Sequence, residues 1–399
     1  MNYLIITYAL PPMSFPRSIQ LSYLLKYLSG NKYVFCGDEK YESIDQTICP
    51  EINNYCSKIM KSSSEHNEII KKFLGKILRA PDDKLIWAFK TKNKVLELIR
   101  EEKIISDVIL SFGMPMSSHI AGYLVKQKMN IPWIAHFSDP WVENPYNNYI
   151  FHQKLLNKIL EKNIFRFADK LIFTSPETMT VVTKKYDSAT KAKASFIPHA
   201  YDPENYLSEK KERGRDGHTN KYVISIIGNF YGKRTINNLI EPINELYAEK
   251  SSLFKEIDIN FYGSITNTHN KNIQKNGPYT IHNRINYQES INGMNKSDCL
   301  VVIDAPIDNS IFFPSKLAEF IGSTCFIWAI TPKGGATDRI VTKMGGKVSD
   351  VFHASEIKKD LLEIITKKPK YLNNCNERIN YDIRSVITQY TDLIKSITN

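Results

Sequence analysis

Short apolar runs alternate with helix-period stretches along this chain. Tyr3 to Tyr8 is an apolar, β-branched run bounded by Pro11-Pro12, which reads as a buried strand. The loop Pro11 to Ser18 leads to a stretch with Ile19, Leu21, Leu24, Leu25 and Leu28 on one helical face, then to a second strand pattern at Tyr33 to Cys36. Strand, helix, strand in that order predicts a parallel α/β sheet. The pattern continues with strands at Val108 to Ser111, at Ile131 to Phe137 and within Ala168 to Ser175, and with helices over Ile120 to Lys126 and behind Pro176. It restarts at Tyr222 to Ile227 and runs through Asp258 to Tyr262, Thr280 to Ile285, Cys299 to Asp304 and Cys325 to Ile330. Leu239, Ile240, Ile243 and Leu246 mark a helix inside this second round, and Ile383 to Ile397 forms a last amphipathic helix.

Two rounds of one pattern over 399 residues predict two domains, since one core seldom fills a chain of that length. The boundaries expected are 1–200 and 201–380, with 381–399 as a helix returning to the first domain. A composition of 42% hydrophobic and 24% charged residues excludes wholesale disorder. The net charge of +11 points to an anionic partner: phosphates, a membrane surface or nucleic acid. Nucleic acid fits least, because the basic residues are not interleaved with aromatics on one recognisable module.

The basic residues concentrate in one stretch. Lys58 to Lys103 holds twelve Lys and Arg against seven Asp and Glu, and Lys71 to Arg79 alternates basic and apolar residues at helical spacing. Such a segment either lies on an anionic bilayer or packs on its domain with a solvated basic rim. The six cysteines show no C-x-x-C spacing, so free thiols in a reducing compartment fit better than disulfides or zinc. The first apolar run is too short for a signal peptide or a membrane span, and the expected location is cytoplasmic, with peripheral attachment to the inner membrane face as the alternative.

Candidate chemistry gathers where apolar strands end. Phe312 to Phe320 follows the strand at Cys299 to Asp304: Pro314-Ser315 opens a helix with Leu317, Phe320 and Ile321 on one face. Ser315 as N-cap, Lys316 in the first turn and Glu319 one turn on place a helix dipole and a cation beside a carboxylate. A diphosphate would suit the former and a ribose diol the latter; a capped surface helix with an ordinary Lys/Glu pair is the plainer reading. Gly228 to Arg234 is a glycine-bounded loop in which Lys233 and Arg234 suit a phosphate, or form a solvated basic turn. In the first round, His119 and the group His136-Phe137-Ser138-Asp139 fall at strand ends, where open α/β sheets carry function.

These residues together resemble bacterial GT-B glycosyltransferases, closest to glycosyltransferase family 4. The resemblance rests on Pro314-Ser315-Lys316-Leu317-Ala318-Glu319-Phe320, on Pro81-Asp82 followed by Trp87, on Asp139-Pro140-Trp141, on Ala168 to Ser175 and on Ile197 to Asp202. It implies two Rossmann-like domains with parallel sheets facing across a cleft. It also implies transfer of a sugar from a nucleotide-diphosphate sugar to a hydroxyl of a polysaccharide or lipid-linked glycan, with retention of configuration. In the family, Arg234, Lys233, Gly228, Pro314, Ser315, Lys316 and Glu319 match the donor site, and Asp139 with His136 stands nearest the family's catalytic histidine. Asp139 as a plain cap of the Pro140-Trp141 turn, His119 as a structural histidine and Arg17 as an ordinary helix-start cation, instead of an acceptor- or phosphate-side contact, stay open.

The chain departs from the family at several places. Ile311 stands where the family often has a first glutamate, Ser138 replaces an arginine, and His199-Ala200 replaces Asn-Gly. No Asp-x-Asp occurs, so no metal-bridged diphosphate is expected and no cofactor is required. A nucleotide-sugar epimerase of the same fold, and a non-catalytic GT-B module that binds a glycan or partner, are the rival readings.

Overall fold

In this computed structural model residues 64–79, 207–220, 231–232, 265–271, 275, 309 and 399 lie outside those described, so the basic run Lys71 to Arg79 is not assigned a structure. The chain divides into two compact units, Met1–His199 with Ile383–Asn399, and Ala200–Asp382.

The first unit is a parallel sheet of seven strands: β1 (Asn2–Thr7), β2 (Asn31–Gly37), β3 (Lys58–Ser62), β4 (Val108–Phe112), β5 (Trp133–Phe137), β6 (Lys170–Phe173) and β7 (Ala194–Phe196). Their order is β3-β2-β1-β4-β5-β6-β7, so the winding direction reverses between β1 and β4. Leu4, Ile5 and Ile6 are fully buried, as a strand covered on both faces requires. Burying each such side chain stabilises the unit by about 1.5–3 kcal/mol. The helix Pro16–Tyr27 begins with proline at its first position, where no N–H is needed. The helix Pro176–Thr183 adds a cap: Ser175 Oγ accepts from Thr178 N at 3.0 Å. The C-terminal helix Ile383–Thr398 belongs to this unit and buries Ile383, Val386, Tyr390 and Ile394.

Part of the basic stretch is structural. Lys58–Ser62 is the edge strand β3, paired with β2, and the helix Leu85–Arg100 buries Trp87, Ala88, Val95 and Leu98. Trp87 Nε1 donates to Cys36 O at 3.0 Å.

The second unit repeats the plan with β8 (Tyr222–Ile227), β9 (Ile257–Tyr262), β10 (Thr280–His282), β11 (Cys299–Ile303), β12 (Phe326–Thr331) and β13 (Lys347–Asp350). The order β10-β9-β8-β11-β12-β13 reverses between β8 and β11. Only three residues of the strand expected over Thr280 to Ile285 pair, because Asn286 and Glu289 form a capping box that starts the next helix, Tyr287–Asn295.

Candidate functional site

Each sheet has its switch point, the crevice between two strands whose connections run opposite ways, and an arginine spans it in both units. In the first unit Arg17, in the first turn of the helix Pro16–Tyr27, donates from Nε to Gly113 O, just past β4, at 2.8 Å. It is only 7% exposed, its guanidinium lies 5.5 Å from the Phe112 ring centre, and its Nη2 is buried without a partner. Burial lowers its pKa to about 10, against the pull of Tyr390 and Asp139. It is still a cation at neutral pH.

Around Arg17 stand imidazoles that burial keeps neutral. His119 Nδ1 meets Ser111 Oγ at 2.8 Å, and its ring tilts against Phe137 at 4.2 Å. Burial, then the charge of Arg17, pushes His119 and His199 down to about 3. His136 moves in the same direction for the same two leading reasons. Tyr390, from the C-terminal helix, stacks on His136 at 6.2 Å between ring centres. The helix Ser117–Met129 has no side-chain cap of its own, so neither Ser117 nor Ser118 is the N-cap. Asp82 acts instead: it accepts from Ser117 N at 2.9 Å and from Ser117 Oγ at 2.5 Å.

Asp139 is half-buried in the turn after β5, and its charge reaches Arg17. Two bonds pin that turn: Thr174 Oγ1 donates to Ser138 O at 2.8 Å, and Trp141 Nε1 to Asn157 Oδ1 at 3.0 Å.

In the second unit Arg234 spans the switch point. Its Nη2 lies 3.6 Å from Asp304 Oδ1, past the end of β11, and the side chain is 30% exposed. Asp304 also accepts from Thr331 Oγ1 at 2.8 Å. The following helix begins only at Asn237, so Arg234 belongs to the loop and not to the helix start. Lys233 is exposed in the same loop. Gly228 ends β8, donates to Tyr262 O at 2.9 Å, and has open space where a Cβ would point. Gly263 packs against it with φ +144°; a Cβ there would lie 1.7 Å from Gly228 O, so only glycine fits.

The helix Ser315–Ser323 closes this site. Its N-cap is Pro314, without a side-chain bond, and Ser315 is the first helical residue, which corrects the sequence expectation of a serine cap. A proline ahead of the first turn fixes the backbone that a cap would otherwise fix. Lys316 reaches solvent with part of its side chain, yet protein atoms crowd it. Burial lowers it to about 8; Glu319 raises it, and Arg234 and Arg284 lower it further. Lys316, Arg234, Arg284 and Glu319 therefore share one field. Glu319 is 4% exposed, and Tyr206 Oη donates to its Oε2 at 2.6 Å. Ile311, in the position noted above, is buried.

The sequence reading missed Arg284, Tyr206 and Tyr390. Each is a lone residue whose motif signal is nil and whose role depends on tertiary placement. Among the described residues no group of three or more His, Cys, Asp or Glu is arranged to hold a metal ion.

No protein-family model matches this sequence, and no curated protein sequence does. Solved structures match over the whole chain. HepE from Anabaena, solved with UDP and glucose, aligns at a TM-score of 0.69 and 13% identity, covering 99% of this chain and 100% of that one. A glycosyltransferase from Rickettsia africae gives 0.67 and 14%, covering 99% and 98%. A protein assigned as a UDP-N-acetylglucosamine 2-epimerase, from Listeria monocytogenes, gives 0.60 and 10%, covering 99% and 96%. At such low identity the likeness is one of fold. That fold is GT-B, with two Rossmann-like units built on parallel sheets of seven and six strands.

Proposed function

We propose that this chain is a glycosyltransferase that draws a sugar from a nucleotide-diphosphate donor bound mainly by the second unit. The observation that carries the reading is the shared field of Arg234, Lys316 and Arg284 beside the buried carboxylate of Glu319, at the switch point of that unit. The cations answer the diphosphate and its growing charge as the sugar–phosphate bond breaks. Glu319, held by Tyr206, accepts from the ribose hydroxyls. Pro314 and Ser315 shape the turn that presents Lys316, and Gly228 leaves room for the nucleotide.

On this reading the acceptor is a hydroxyl of a polysaccharide or lipid-linked glycan, handled by the first unit with Asp139, His136, His119 and Arg17 around it. The neutral imidazoles point to Asp139 as the carboxylate that orients the acceptor. Transfer retains configuration and needs no metal, since three cations already serve the diphosphate. UDP and glucose in HepE, and the Rickettsia glycosyltransferase, support the donor class.

Calorimetric titration with UDP, GDP, dTDP and CMP, repeated in EDTA, tests this. Tight binding of one nucleoside diphosphate, unchanged by EDTA, is the expected result. Binding by none of them would sink the reading in favour of a non-catalytic module. Turnover of a nucleotide sugar without any acceptor would favour the epimerase.

A further inference from the structure

The helix Phe151–Phe167 packs Ile164 and Phe165 on the core yet leaves a second apolar row outside. Two polar residues share its buried side: Asn157 holds Trp141, and Glu161 accepts from Val142 N at 3.1 Å and from Tyr186 Oη at 2.8 Å, with Lys185 Nζ at 2.5 Å. Its outer face holds Phe151, Leu155 and Ile159, which are 85%, 51% and 50% exposed. Spacing of four puts these three on one row, and Ile150, 51% exposed, precedes them at the N-cap. The neighbouring row is Lys154, Lys158, Lys162 and Arg166, all exposed. The only acidic residue of the helix, Glu161, is buried, so the outer face carries cations alone.

We propose that this face docks on an anionic lipid bilayer, with the apolar row in the acyl boundary and the basic row on the headgroups. An interfacial helix has this design: large apolar side chains on one row and Lys/Arg beside them. Charge complementarity selects the occupant. A two-fold contact with a second copy would bring two all-cationic rows together with no carboxylate to answer them. Among the described residues no helix is long and apolar enough to cross a membrane, so the contact is peripheral. The bonds from Asn157 and Glu161 to Trp141 and Val142 tie this helix to the turn that carries Asp139, so docking would hold that turn at the lipid surface. The inference goes beyond the donor reading and does not depend on it.

The experiment is co-sedimentation of the full chain with phosphatidylcholine vesicles, with and without phosphatidylglycerol, at low and high salt. Two variants are compared: Phe151→Ala/Leu155→Ala/Ile159→Ala, and Lys154→Gln/Lys158→Gln/Lys162→Gln. The wild type is expected to sediment only with phosphatidylglycerol and to detach in salt. The lysine variant should partition roughly 100-fold less, and the apolar variant should detach even at low salt. Thermal melting monitored by circular dichroism checks that both variants keep the wild-type fold, whether or not any nucleotide binds. Equal sedimentation of wild type and variants would overturn the proposal by placing the contact elsewhere, for example on Lys58 to Lys103. So would absence of sedimentation, or a wild-type dimer that the apolar variant dissolves.

Discussion

The two units solve one topological problem with opposite electrostatics. Both have a switch point, and both span it with an arginine, but Arg17 is enclosed and binds a neutral carbonyl while Arg234 is part-exposed and faces a carboxylate. Around Arg17 burial leaves three neutral histidines and one carboxylate, Asp139. Around Arg234 two further cations share the space. A crevice that must receive a diphosphate keeps positive charge near water, where an anion can reach it. A crevice that must handle hydroxyl groups needs hydrogen-bonding groups of fixed orientation and little net charge. On the function proposed above, one fold serves both tasks and the residues at the switch point decide which.

The largest expected effect tests that contrast directly. Arg234→Ala with Lys316→Ala removes two charge-assisted partners of the phosphates, each worth about 1.5–3 kcal/mol, so UDP binding should fall roughly 100-fold or more. Arg17→Ala should change UDP affinity by less than about threefold, and should instead lower the melting temperature, because its bond to Gly113 O is buried. Titration and melting of both variants give the answer. Equal losses of affinity would break the comparison.

The histidines give the next effect. His119 and His199 sit at about 3 in the folded chain, below the ordinary value near 6.5 that they regain on unfolding. Between those values the unfolded chain binds protons that the folded one refuses, so stability falls as pH drops through that window and is complete above it. Each histidine should contribute about 1.4 kcal/mol per pH unit below 6.5. Urea titrations at descending pH measure the slope, and His119→Asn should lessen it. A slope unchanged by that substitution would show that His119 is open to water.

Much of this was legible in the sequence, and the failures share a cause. The expected bounds of β8 match to the residue, because a strand buried on both faces is almost wholly apolar, with Ser225 its one small polar residue. β3 and β13 were not read: both are edge strands with lysines in them. The helix Phe151–Phe167 gives no clean signal because apolar residues lie on both sides of it, Ile164 and Phe165 inside and Phe151, Leu155 and Ile159 outside, while Asn157 and Glu161 are buried. Lys316 and Glu319 were legible from a motif whose residues are local. Arg284 and Tyr206 join them only through the fold.

Lys316 gives a third, smaller effect. With its value lowered to about 8, it is protonated at neutral pH and loses its charge above that point. A bound diphosphate favours the charged form and raises the value. UDP affinity should therefore fall by up to tenfold per unit above pH 8, and binding at pH 8 should take up about half a proton. Titration in buffers of different ionisation enthalpy reads that uptake. A pH-independent affinity with no uptake would leave the phosphates to Arg234 and Arg284.

The smallest effect concerns how Glu319 is held. Its Oε2 accepts from Tyr206 Oη at 2.6 Å, and both side chains are buried. A buried carboxylate stays charged only while donors surround it. Tyr206 thus holds the Glu319 carboxyl in the second unit with one directed hydrogen bond, as Ser111 holds the ring of His119 in the first. Tyr206→Phe removes one hydrogen bond worth about 1 kcal/mol, so UDP affinity should fall about fivefold, while Glu319→Ala should cost more, because the ribose then loses its acceptor outright. If Tyr206→Phe weakened binding as much as Glu319→Ala, the tyrosine would itself be touching the nucleotide. If neither mattered, the ribose would lie elsewhere, and the charge contrast between the two switch points would rest on the phosphates alone.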